Sequence, residues 1–258
     1  MPHKPIHFQR AIAPKGKTNR ALAIGVIAVR LIALSSFVLA ILLSTAWAVP
    51  AQNGKPPYTT MAPLDQYLMD RNTEIALARS AAPTSISADA EIMVLGQHGY
   101  EIAVKGKNGF VCIVERSWMS PFEDPEFLNP DQRLPLCLNP PAVRSHLQLT
   151  LKTTELALAG LSKTQMFDRI KTAYDTKTLP LPEPGSMCYM MSKQQYFGRK
   201  YGNADPHLMF WVPKTSDMFW GAGLPGSPVY VHQYSPEPIT EFIISVSKWS
   251  DGTAAPAE

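Results

Sequence analysis

Residues 91–115 read E-I-M-V-L-G-Q-H-G-Y-E-I-A-V-K-G-K-N-G-F-V-C-I-V-E. Three apolar runs rich in β-branched residues, 91–95, 100–104 and 110–115, are punctuated by Gly96–Gly99 and by Lys105–Gly109. Such runs between glycine turns predict three strands. The Asn108-Gly109 pair is a hairpin signal, because both residues tolerate the positive φ of a tight two-residue turn.

On the N-terminal side, Leu64, Leu68, Ile75, Leu77 and Ala78 recur near one helical face. They predict a helix over 64–80, which Pro83 ends. On the C-terminal side, 120–141 holds six prolines and little periodicity, and reads as an ordered loop or covering arm. Asn139-Pro-Pro141 then opens a helix over 142–159, with Pro at its first turn. Ser162-Lys-Thr-Gln165 is a capping box that starts another helix, to about Tyr174. Further strands are expected at 187–191, 208–212, 229–233 and 239–246. Strands, then helices, then strands, without strict βαβ alternation, predict an α+β domain. Its mainly antiparallel sheet packs against two or three helices, and it runs over 62–253 as a single unit. Residues 49–61 read as a linker and 254–258 as a disordered tail.

Residues 1–48 hold six basic side chains and no acid, leaving 18 basic against 21 acidic ones in the rest. The net charge of +3 is therefore a property of the leader, and no nucleic-acid footprint remains on the body. The apolar run 31–43 follows the basic stretch, and Ala46-Trp47-Ala48 offers small residues around a cut after Ala48. This order reads as a secretory signal peptide. The alternative is an uncleaved anchor over 21–43, against which the central Arg30 counts. Either way the body is expected outside the cytoplasm, periplasmic or extracellular, touching membrane only through the N-terminal segment if that is uncleaved.

All three cysteines, Cys112, Cys137 and Cys188, fall in the exported part. A disulfide between Cys112 and Cys137 is one reading, and buried small hydrophobes are the other. No C-x-x-C spacing suggests zinc.

No P-loop, G-x-G-x-x-G or G-x-S-x-G sequence occurs. Ser245-Val-Ser-Lys248 matches S-x-x-K but lies in a strand, after Tyr201-Gly-Asn203 and without a following K-T-G. Glu123, Asp124, Glu126 and Asp131 form an acidic loop without EF-hand spacing. Asp205-Pro206-His207 places a carboxylate and an imidazole two residues apart, with His232 on a neighbouring expected strand. These three form the candidate polar site, suited to metal ligation or acid/base work, although no H-x-x-x-H pattern supports it. Aromatic and Met residues of the last third suit either a sheet core or an apolar pocket. No motif names a cofactor.

The runs F-V-C-I-V-E-R-S-W (110–118), N-P-P-A-V-R-S (139–145), P-E-P-G-S-M (182–187), W-G-A-G-L-P-G-S-P (220–228) and K-W-S-D-G-T (248–253) resemble a family of exported bacterial proteins with no assigned activity. The resemblance spans about residues 90–253 and implies no catalytic residues. Family members carry a His where this chain has Asp205, which weakens a two-imidazole metal site. The expected function is a non-catalytic domain binding a small molecule or a partner in the envelope. The alternative is an exported hydrolase or metal-dependent enzyme using Asp205 and His207.

Overall fold

The computed structural model describes residues 58–256. The signal-peptide or anchor reading of 1–48, and most of the 49–61 linker, lie outside the described residues. Tyr58 and Met61 pack on the first core cluster, so the folded unit begins a few residues before 62. At the other end Ala254 bridges to Lys248 and the Ala255 N–H donates to Ser247 O. The expected tail thus loses its first two residues to the fold.

The expected helix over 64–80 is two pieces. A single 3-10 turn, Leu64–Gln66, comes first, and α1 spans Arg71–Arg79. The break belongs to Asp70, whose side chain accepts from the Thr73 N–H and starts a new helix at 71. Between the pieces Tyr67 is fully buried, its hydroxyl donating to Leu128 O at 2.7 Å. A short helix α2, Thr84–Ser87, follows Pro83.

The sheet has eight strands: β1 Glu91–Gly96, β2 Gly99–Val104, β3 Val111–Glu115, β4 Leu134–Leu138, β5 Met187–Met190, β6 His207–Pro213, β7 Val229–His232 and β8 Ile239–Ser245. Their order is β2-β1-β3-β4-β5-β6-β8-β7, and every pairing is antiparallel except β1 with β3. The α+β reading with a mainly antiparallel sheet is what the molecule shows.

Asn108-Gly109 does not close a hairpin. Instead the chain leaves β2, crosses the start of β1 and runs up its far side as β3. Lys107 N–H donates to Asp89 O, Glu91 N–H donates to Phe110 O, and Asn108 Nδ2 donates to Ile86 O. Gly106 makes the crossing feasible, since a Cβ there would stand 2.3 Å from Glu91 N.

Strand β4 lies inside the Pro-rich stretch read as a loop. All five of its residues are buried. Pro135 is tolerated because β5 pairs only with Cys137 and Leu138, so the missing N–H falls where no neighbour needs it.

The expected helix over 142–159 is also divided, into α3, Pro140–Arg144, and α4, His146–Leu158. At the break, Ser145 Oγ donates to Pro141 O. Helix α5, Lys163–Asp175, begins at the Ser162–Gln165 capping box, with both reciprocal bonds formed.

Side chains of β3, β4, β5 and β6 that share one face (Ile113, Leu136, Cys188, Met209, Trp211) pack with Ala142 of α3 and Leu147 of α4. Helix α5 joins α4 in a neighbouring cluster around Trp118, Phe127, Met166 and Ile170. On the opposite face, Leu77 and Ala78 of α1 cover Ile92, Cys112, Val114 and Cys137. Over β6 and β8 that same face is covered by a loop instead. Trp220 stacks on Phe242 at 4.5 Å and tilts against Phe210.

Candidate functional site

A polar cluster crosses the face of β6, β8 and β7 on which Trp211 meets His146 of α4. Trp211 and Glu241 stand opposite each other in the β6–β8 register, and His232 faces Glu241 from β7. The Trp211 indole N–H donates to Glu241 Oε2 at 2.8 Å. His232 Nδ1 stands 3.5 Å from Glu241 Oε1, close enough for an ion pair but without hydrogen-bond geometry. The His146 ring, at the first turn of α4, stacks on Trp211 at 3.8 Å with the planes 12° apart. Its Nε2 lies 3.5 Å from Glu115 Oε1 at the end of β3, while its buried Nδ1 has no partner. Glu115 also accepts from the Thr150 hydroxyl, one turn further along α4.

Burial and carboxylates set the protonation of this cluster. Burial pushes the His146 imidazole down, but Glu115, Glu237 and Glu241 together outweigh it and leave the ring above its ordinary range. The Glu237 carboxyl is pushed up to about 7, first by burial and then by Glu241 and Glu115, with His146 opposing. Glu241 behaves in reverse. Burial raises it, yet His232, Trp211 and His146 pull it below the usual carboxylate value.

Of the residues singled out in the sequence, only His232 belongs to this cluster. His207 is buried, and its Nδ1 sits 2.8 Å from the backbone carbonyl of Asp205, not from its carboxylate. The Asp205 side chain is exposed. His207 pairs with Ser245 and His232 with Glu241, four residues apart on β8, which is about 13 Å along the strand. Asp205, His207 and His232 do not converge. Among the described residues no group of three or more His, Cys, Asp or Glu could hold a metal ion.

Cys112 and Cys137 are directly opposite in the β3–β4 register and are joined by a disulfide beneath α1. Cys188 is free and buried on the other face, its thiol pushed well up by burial and by Glu115 and Glu241.

An open groove of about 680 Å³, lined by Met69, Asn72, Thr73, Ala76, Leu77 and Gln194, lies along α1, remote from the cluster. The Met and aromatic residues of the last third divide between two roles. Met190, Met209, Trp211 and Phe242 are core, whereas Met218, Phe219 and Leu224 are 81%, 79% and 63% exposed. These three sit on and just after a 3-10 turn, Asp217–Trp220, whose Ser216 cap accepts from the Met218 N–H. Gly221 and Gly223 take left-handed φ of 67° and 74°, a conformation glycine adopts without a steric cost. Trp220 anchors the loop by the stack on Phe242.

No family model, curated protein or solved structure matches this chain.

Sequence reasoning passed over His146, Glu115, Trp211, Glu237 and Glu241. A signal was present for two of them. Glu115 closes the apolar run V-C-I-V-E, and Glu241 interrupts I-T-E-F-I-I, so each is a lone carboxylate in a buried strand that requires a partner.

Proposed function

We propose that this chain is an exported, non-catalytic domain that binds a protein partner of the envelope through the 217–224 loop. The observation that carries the reading is the loop itself. Met218, Phe219 and Leu224 project into solvent from a turn held rigid by a capped 3-10 helix and a stacked Trp220. Clustered exposed apolar side chains on a preorganised support mark interaction sites, because little ordering entropy remains to be lost on binding. Residues 213–228 hold one Lys and one Asp, so nothing there draws the loop to an anionic lipid surface. A protein presenting an apolar pocket is the fitting occupant.

The Cys112–Cys137 bridge supports export, since such disulfides persist in oxidising compartments. The alternative, a hydrolase or metal-dependent enzyme built on Asp205 and His207, has less support, since His207 Nδ1 meets the backbone carbonyl of Asp205 and the Asp205 side chain is exposed.

A photo-crosslinking side chain placed at Met218 in cells tests the proposal. The expected result is one protein adduct, identified by mass and abolished by Phe219→Asp, with no adduct from the same probe at Lys171 on α5. Adducts to lipid, to a second copy of this chain, or at both positions alike would overturn it.

A further inference from the structure

We infer that Met218 is an oxidation site that switches docking off: hypochlorous acid converts its thioether to the sulfoxide, and the 217–224 loop then fits an apolar pocket poorly. The inference rests on the partner-binding reading of that loop and adds its regulation.

The sulfur atoms of the fold single this residue out. Oxidation of sulfur follows thiolate character and exposure. Cys112 and Cys137 are already joined in a disulfide beneath α1. Cys188 is buried and its thiol is pushed well up, so it offers neither thiolate nor access. Met166, Met190, Met191 and Met209 are buried as well. Among the described residues Met218 is the single exposed methionine, at 81%.

Its setting makes the modification a change of surface and not of fold. The Met218 backbone N–H donates to Ser216 Oγ, and the Trp220 stack on Phe242 anchors the loop. Neither contact uses the thioether. Phe219 and Leu224 are the other apolar side chains that the loop exposes to this extent. A sulfoxide replaces a flexible apolar group by a polar one, whose oxygen must give up its water on entering an apolar pocket. Such an unmatched polar group weakens docking about tenfold.

In the oxidation the sulfur lone pair attacks the chlorine of hypochlorous acid, the Cl–O bond breaks and hydroxide leaves. Water then bonds to sulfur, displaces chloride and gives up two protons, one of which neutralises the hydroxide. Sulfur has lost two electrons and chlorine has gained two. The products are the sulfoxide, chloride and one proton.

Two measurements on the full chain test this. After one equivalent of hypochlorous acid, digestion and mass spectrometry should find sulfoxide at Met218 in about tenfold excess over any other described methionine. Equal oxidation at another of them overturns the site. The switch is read with the photo-crosslinking side chain at Leu224, which leaves Met218 in place. Oxidised protein added to an envelope extract should give about tenfold less of the adduct found from Met218 in cells. Met218→Leu, which keeps the apolar surface, should retain the adduct after the same treatment. An undiminished adduct from the oxidised wild type, or an equal loss in Met218→Leu, overturns the switch. Absence of any adduct before oxidation refutes the partner-binding reading and the switch together, whereas the digest still decides the oxidation site.

Discussion

Glu74→Leu will destabilise the protein by about 3–5 kcal/mol, the range seen when one member of a buried ion pair is removed. Arg116 and Glu74 are both completely buried, and Arg116 Nη2 lies 2.9 Å from Glu74 Oε1. The guanidinium also donates to the carbonyl oxygens of Tyr67 and Val114, and Glu74 Oε1 takes the Leu95 N–H at 3.1 Å. One pair thus fastens α1, the Tyr67 turn, β1 and β3 together. Removing the carboxylate strands a cation among carbonyls that only partly solvate it, and orphans the Leu95 N–H. Since whole domains are stable by roughly 5–15 kcal/mol, the loss is a large share of the total. The double variant Glu74→Leu/Arg116→Met should recover most of it, because an apolar replacement of both partners leaves no uncompensated charge. Urea unfolding of the three proteins measures both effects. A Glu74→Leu protein within about 1 kcal/mol of the wild type would contradict the argument.

Replacing Cys112 and Cys137 together by Ala should cost a comparable amount. The bridge closes a loop with a sequence separation of 25. Chain-entropy reasoning assigns such a loop about 3.5 kcal/mol through restriction of the unfolded state. Both residues are fully buried beneath α1, so reductant should reach the bridge only when the domain opens. The urea midpoint of the double variant should therefore fall well below that of the wild type under non-reducing conditions. Reductant added to the wild type should lower its midpoint toward that of the variant. A variant as stable as the oxidised wild type would show that the bridge is not a stabilising element.

Much of the fold was legible because short-range physics dictates it. The apolar runs at 208–212 and 239–246 and the capping box at Ser162 are local signals, and each element formed where those signals lie. Strand β4 was not legible, because Pro135 suppresses strand propensity and only the absence of a β5 partner at that position makes it harmless. The partner of β3 could not be read either. Asn108-Gly109 tolerates positive φ equally well in a hairpin or a crossover, and the choice rests on Gly106 passing close to Glu91. For the site, His232 was found and its partners were not. Glu241 and Trp211 become neighbours only through the β6–β8 register, and His146 reaches them only because the helix breaks at Ser145. His207 misled because spacing in sequence cannot tell a carboxylate from a backbone carbonyl as the hydrogen-bond partner.

The strand order also has a bearing on how the molecule is put together as it is made. Read in order of emergence, β2 adds to one side of β1, and β3, β4, β5 and β6 then add one after another on the other side. Growth by accretion needs no strand to be inserted between two that are already joined. The exception comes last. β7 emerges before β8 yet bonds only to β8, and β8 alone bonds to β6. β7 must therefore wait for β8 before it can pair at all, so that the closing seam of the assembly is the one where Trp211 meets Glu241.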